Sequence, residues 1–211
     1  MLDVHPPHGK MHGIRDFLLH LFTITVGLLI ALALEGCAER WHQRELRKEA
    51  DVNLRQEIRD NMKEIAEIRA EIAKEDTSLQ SALAFLDARK ENKKYDIHAI
   101  SLSFSIGDLR DASWRTASAT GALSYMEYPQ VQRYASVYQL QDKFDGLQAQ
   151  TLNDFLQLQS YVVSGFNPDK MTPQDSTVAA VDVRRAFARL KALDTIGNAL
   201  NKSYNDVLKK N

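Results

Sequence analysis

Eighteen consecutive residues, Phe17 to Leu34 (FLLHLFTITVGLLIALAL), contain one ionisable side chain, His20, and are bounded by Asp16 and Glu35. As a helix this run measures about 27 Å, close to the roughly 30 Å of a bilayer's hydrocarbon core, and Ile14 or the amphipathic Trp41 can extend it. A helix in the core of a soluble protein keeps a polar face. This one has none, so the sequence predicts a single transmembrane helix over 14–36. Lys10 and Arg15 precede the run and Leu34-Glu35-Gly36-Cys37 follows it, so a cleaved signal deserves weighing. Glu35 stands where a lipoprotein box takes a small or aliphatic residue, and the run is longer than an ordinary signal core. Cys37 is therefore read as an interfacial thiol.

Steps of three and four residues place Thr23, Gly27 and Ala31 on one side of the span, opposite the large aliphatics. Gly27 and Ala31 form a small-xxx-small pair that lets two backbones approach, with Thr23 able to add an interhelical hydrogen bond. Self-association through this stripe is the expectation. His20 lies less than two turns from the boundary, within snorkelling reach of water. Arg40, Arg44, Arg47 and Lys48 outnumber Lys10 and Arg15, which favours a cytoplasmic C-terminal part. A short tail before a first span often stays inside, however, and the rule leaves both sides open.

Only nine Gly and five Pro punctuate the 211 residues, and helix formers dominate, so the fold class is all-α. The membrane helix is expected to continue into a stalk over 37–93. Ile58, Ile65, Ile72, Leu79 and Leu86 recur every seven residues with Leu54, Ile68 and Ala82 beside them, interrupted at Asn61 and Glu75. This coiled-coil-like seam joins two copies or packs inside one chain. Glu57, Glu64 and Glu71 flank it on one side, Arg55 and Arg69 on the other.

A loop over 94–107 follows, where Leu102, Phe104 and Ile106 alternate with serines. With no partner strand, an extended segment crossing the bundle end is expected. A bundle over 108–211 is completed by the distal stalk. Its predicted helices run from Asp108 to Tyr125 with Ala112, Thr116, Ala119 and Leu123 on the packing side, from Pro129 to about Val162, and from Pro173, capped by Thr172, to the C-terminus. The expected architecture is an N-terminal transmembrane helix and long stalk packed in an antiparallel helical bundle.

Lys+Arg 27 against Asp+Glu 28 gives a formal net charge of −1, which excludes a basic nucleic-acid binder. One cysteine supplies neither an internal disulfide nor a clustered metal site. His5, His8 and His12 form a His/Pro-rich tail over 1–13, read as flexible and solvated rather than as a metal site. No phosphate loop, nucleophile elbow or His-Glu-x-x-His arrangement occurs, so no catalytic residue, metal or cofactor is expected. Arg110, Trp114 and Arg115 are candidates for an anionic-ligand pocket. Gln130, Gln139, Gln148 and Gln157, with Gln132, Gln141, Gln150 and Gln159, repeat at nine residues. Because nine residues are two and a half turns, they are read as solvated positions.

The tail with His5-Pro6-Pro7-His8, the runs Asp16-Phe17-Leu18-Leu19-His20-Leu21 and Thr25-Val26-Gly27-Leu28-Leu29-Ile30-Ala31-Leu32, and Trp114 with Gly121-Ala122-Leu123 resemble an uncharacterised family of single-span proteins from Gram-negative bacteria. The resemblance implies an inner-membrane protein with a helical domain and brings no activity. The expected function is a membrane-anchored interaction or assembly module. Its partners are the lipid bilayer and a second copy or another membrane protein. The alternative is a ligand-sensing bundle that signals through a partner.

Overall fold

A computed structural model describes residues 13–95, 102–163, 167 and 170–209. Within them the chain is all-helical, without strands: α1 (Gly13–Lys90), α2 (Ala112–Ala119), a 3-10 turn over Ala122–Tyr125, α3 (Tyr128–Val163) and α4 (Pro173–Lys209). His5, His8 and His12 lie outside the described residues. The chain divides after Lys48 into two compact units, and α1 contributes to both.

In the first unit the apolar run is exposed at every position except half-buried Val26. Its two hydroxyls are satisfied within the helix, Thr23 donating to the Leu19 carbonyl at 2.9 Å and Thr25 to Leu21 at 2.8 Å. No polar group of either side chain is then left for an apolar surrounding to desolvate.

In the second unit, Leu54, Ile58, Ile65, Ile68, Ile72, Leu79, Ala82 and Leu86 are all buried. The heptad seam therefore packs inside its own chain. Each fully covered aliphatic contributes about 1.5–3 kcal/mol of transfer free energy. The helix ends where the sequence breaks: Asn92 adopts φ 55, and the Lys93 N–H reaches the Ala88 carbonyl at 2.8 Å, a left-handed C-terminal cap.

Cross-helix pairs give the directions. Tyr134 meets Asp51, Tyr138 meets Glu57 and Gln141 meets Asn61, so α1 and α3 run the same way. Asp194, Lys191 and Arg184 of α4 pair with Arg69, Asp76 and Asp87, so α4 runs opposite to both. Thr172 and Asp175 open α4 reciprocally, the Asp175 N–H donating to Thr172 Oγ1 and the Thr172 N–H to the Asp175 carboxylate, both at 3.1 Å. This is the predicted cap, with Pro173 in the first turn.

Two expectations need correction. The described residues 102–107 of the extended segment do not cross the bundle end. Residues 102–111 lie lengthwise between α1 and α3, as a strap. The helix predicted from Asp108 begins only at Ala112 and is broken at Gly121, whose φ of 75 is left-handed. Its packing residues are Ala117 and Ala122, while Ala112, Thr116 and Ala119 are exposed and Leu123 is half-buried. Strap backbone continues to Arg110, whose N–H and C=O are both held by Asn61, and the Asp111 carbonyl already accepts from the Arg115 N–H at 3.0 Å.

Gly107 is where the strap presses on α1. A Cβ there would lie 2.3 Å from Ile68 Cδ1 and 2.5 Å from Cγ1. Gly146, exposed in the middle of α3, has nothing within 4 Å of such an atom. Chemical unfolding of the full chain is expected to show Gly107→Ala destabilising by about 1–3 kcal/mol through overpacking. Gly146→Ala should stabilise by about 0.5–1 kcal/mol through helix propensity.

Candidate functional site

An extended segment without a neighbouring strand needs partners for every buried N–H and C=O. Side chains of α1 and α3 supply them along the strap. The Ser103 N–H and hydroxyl donate to the two Glu75 oxygens at 3.3 and 3.2 Å, and Gln159 donates to the Leu102 carbonyl at 3.0 Å. Gln148 pairs with Gly107 at both ends, accepting from its N–H at 3.1 Å and donating to its carbonyl at 3.3 Å. Asn61 does the same at Arg110, accepting at 2.9 Å and donating at 2.7 Å. Gln141 donates to the Leu109 and Arg110 carbonyls at 3.1 and 3.0 Å. Where the strap enters α2, the Ser113 N–H donates to Glu57 at 2.8 Å.

Asn61 and Glu75, the two interruptions of the seam, are thus 1% and 0% exposed and hold the strap. Their spacing fits the geometry. Fourteen residues of helix rise about 21 Å, and the seven residues from Ser103 to Arg110 span about 23 Å when extended. Burial raises the Glu75 carboxyl above its ordinary value, while both Ser103 hydrogen bonds pull it back. Phe104 stacks on Phe155 at 5.2 Å between ring centroids, which fixes the strap's apolar side.

The glutamine reading is overturned for four members. Gln141 and Gln148 are buried, and Gln130 and Gln159 are half-buried. Within each nine-residue series successive members do fall on opposite sides. Across the two series, Gln130, Gln141, Gln148 and Gln159 are 11, 7 and 11 residues apart, which are whole numbers of turns. They line one stripe facing α1 and the strap.

Below the strap, three buried phenols close the polar interior. Tyr134 donates to Asp51, Tyr138 to Glu57 and Tyr204 to Gln141, each at 2.7 Å. Desolvation pushes all three well above the ordinary tyrosine value, so they remain neutral donors. Of the charges flanking the seam, Glu57 is buried in this network. Arg55 reaches Asp51 and the Leu208 carbonyl at the end of α4, and Arg69 pairs with Asp194.

Arg110 and Arg115 share a cleft, but Trp114 does not line it. Trp114 stacks on Tyr138, with centroids 5.3 Å apart and planes at 17°. Arg115 forms an ion pair with Asp111 at 2.5 Å. Both arginines line a cleft of about 380 Å³ with Gln141 and four aspartates, Asp108, Asp111, Asp142 and Asp145. Four carboxylates against two guanidinium groups disfavour an anion. Burial, together with Asp142, Asp108 and Asp111, raises Asp145 from 3.8 to about 6, against a hydrogen bond from Gln148. Among the described residues no group of three or more His, Cys, Asp or Glu is placed to hold a metal ion.

Thr23, Gly27 and Ala31 are exposed on the apolar run, and a Cβ at Gly27 would meet nothing within 4 Å. The described chain therefore gives no internal packing reason for glycine there. No protein-family model matches the chain, and no curated protein or solved structure is similar to it.

Two outcomes follow from this geometry. Gln148→Leu strands the Gly107 N–H and C=O and is expected to lower unfolding free energy by about 2 kcal/mol, with hydrogen exchange rising first in 102–111. Asp145 ionises at about 6 when folded but near 3.8 when unfolded, so its penalty is full above pH 6, shrinks as pH falls through 6 and vanishes below 3.8. Asp145→Asn should therefore stabilise by about 1 kcal/mol at pH 8 and leave stability unchanged near pH 4, measured by urea titration at each pH.

Proposed function

We propose that the chain is a single-pass inner-membrane protein of a Gram-negative bacterium, with a helical bundle that serves as an interaction or assembly module. The observation that carries this reading is the exposure of the apolar run, at every position but half-buried Val26, on the same helix whose later half is the bundle's core. An exposed run of eighteen residues in which only His20, Thr23 and Thr25 are polar cannot stay in water without a covering phase. Lipid is the covering that a helix without a polar face fits.

Assembly enters through the stripe of Thr23, Gly27 and Ala31. Gly27 carries a helix-propensity cost, and its own chain has no atom near enough to require it. A neighbouring span that approaches closely supplies a reason. The bundle's seam is already covered by its own strap and helices, so the copies meet in the membrane and leave the bundles free for other partners.

Expressed in a Gram-negative cell, the full chain should resist alkaline extraction from membranes. In a Cys37→Ser, Ala38→Cys chain, mild oxidation should link two copies through position 38, which is exposed and stands whole turns from Gly27 and Ala31 on the same side of the helix. Gly27→Ile with Ala31→Ile is expected to reduce the linked fraction about fivefold without releasing the protein. Release at high pH would contradict the span, and unchanged linkage in the double variant would contradict the stripe.

A further inference from the structure

The stretch of α1 that follows the apolar run is charge-segregated in a way that composition hides. Arg40, Arg44, Arg47 and Lys48 fall within about 100° of arc on the helix, whereas Glu35, Glu39, Glu45 and Glu49 occupy about 120° on the opposite side. All eight side chains are exposed. Glu39 is engaged by Gln43 at 2.7 Å and Lys48 approaches Glu45 at 4.0 Å, but neither Arg44 nor Arg47 joins an ion pair among the described residues. Gly27 and Ala31 lie on the glutamate side, so spans meeting through them turn the basic arc outward.

We propose that this arc binds the headgroups of anionic phospholipids in the membrane that the helix crosses; the inference rests on the transmembrane reading above. Helical side chains lean toward the N-terminus, which here is toward the apolar run. Arg40 shows this directly, with Nε donating to the Gly36 carbonyl at 2.9 Å and Nη2 lying 3.4 Å from Cys37 Sγ. The Arg40 and Arg44 Cα atoms stand about 9 and 15 Å beyond Leu34, and the backward lean brings their guanidinium groups to about 4 and 10 Å. The headgroup layer is about 5–7 Å deep, and the Debye length at physiological salt is about 8 Å. Arg40 thus sits among phosphates and Arg44 within electrostatic reach, while Arg47 and Lys48 stand about one Debye length outside. Trp41, exposed beside the arc, suits the same interface. A guanidinium fork matches phosphate oxygens, and of the four glutamates only Glu45 approaches the arc, at its far end beside Lys48.

The test reconstitutes the full chain in vesicles of phosphatidylethanolamine with a minor fraction of phosphatidylglycerol, with a donor dye on Cys37. Energy transfer is compared for acceptor-labelled phosphatidylglycerol and for equally labelled phosphatidylethanolamine. Transfer to phosphatidylglycerol should exceed transfer to phosphatidylethanolamine several-fold and fall toward parity in high salt. R40Q with R44Q should reduce the excess about fivefold or more, while R47Q with K48Q changes it less than about twofold. Equal transfer to both lipids by inserted protein overturns the proposal, as does equal loss in the two double variants. Protein that fails to float with the vesicles, with no transfer to either lipid, overturns the transmembrane reading itself.

Discussion

Two helices that run in the same direction cannot be joined by a short turn, and this constraint organises the bundle. α1 and α3 are parallel, so the chain between them returns along the bundle's length, and over 102–111 it does so in extended form. An extended return next to helices has no ladder to join. Its peptide groups are met by Asn61 and Glu75 from α1 and by Gln141, Gln148 and Gln159 from α3. Gly107 follows from the same constraint, because the strap can sit this deep only where no Cβ meets Ile68.

The polar groups in the interior serve register more than net stability. A hydrogen bond exchanged against water contributes about 1 kcal/mol, but leaving a buried partner unmade costs more. Asn61 and Gln148 each pair with one backbone residue through both the donor and the acceptor of an amide. Sliding the strap by one residue would break both pairs together and turn Phe104 away from Phe155. Apolar contact alone would tolerate such slippage. The amide pairs do not, and they fix one alignment of strap, α1 and α3.

Local patterns were the legible ones. The seven-residue recurrence from Ile58 to Leu86 marks a buried face, Thr172-Pro173-Gln174-Asp175 marks a capped start, and the alternation through Phe104 marks extended backbone. Whatever depends on residues far apart in the chain was not legible. Nothing near Leu102 and Ser103 says that their seat lies between α1 and α3, since their partners Gln159 and Glu75 are 57 and 28 residues away. The glutamines misled because the visible period was nine, whereas the structural stripe alternates between two series. Asn61 and Glu75 were noticed as defects of the seam. Both hold strap backbone. Trp114 stood out as a pocket candidate only because its stacking partner, Tyr138, belongs to another helix.

The central claim is the proposal that α1 changes surroundings along its length, from lipid and a neighbouring span to protein of its own chain on one side. A nitroxide scan of single-cysteine variants of the Cys37→Ser chain in bilayers, moved along residues 17–34 and along exposed and half-buried positions of 49–90, measures this directly. The account expects negligible access to a water-soluble paramagnetic reagent at every position of the first stretch, with high oxygen accessibility everywhere except along the side of Thr23, Gly27 and Ala31, where a neighbouring span lies. In the second stretch, reagent access should follow the helical period, with minima beside the seam. A helical period in the first stretch with one face open to the aqueous reagent would contradict the account and make α1 the core helix of a soluble assembly.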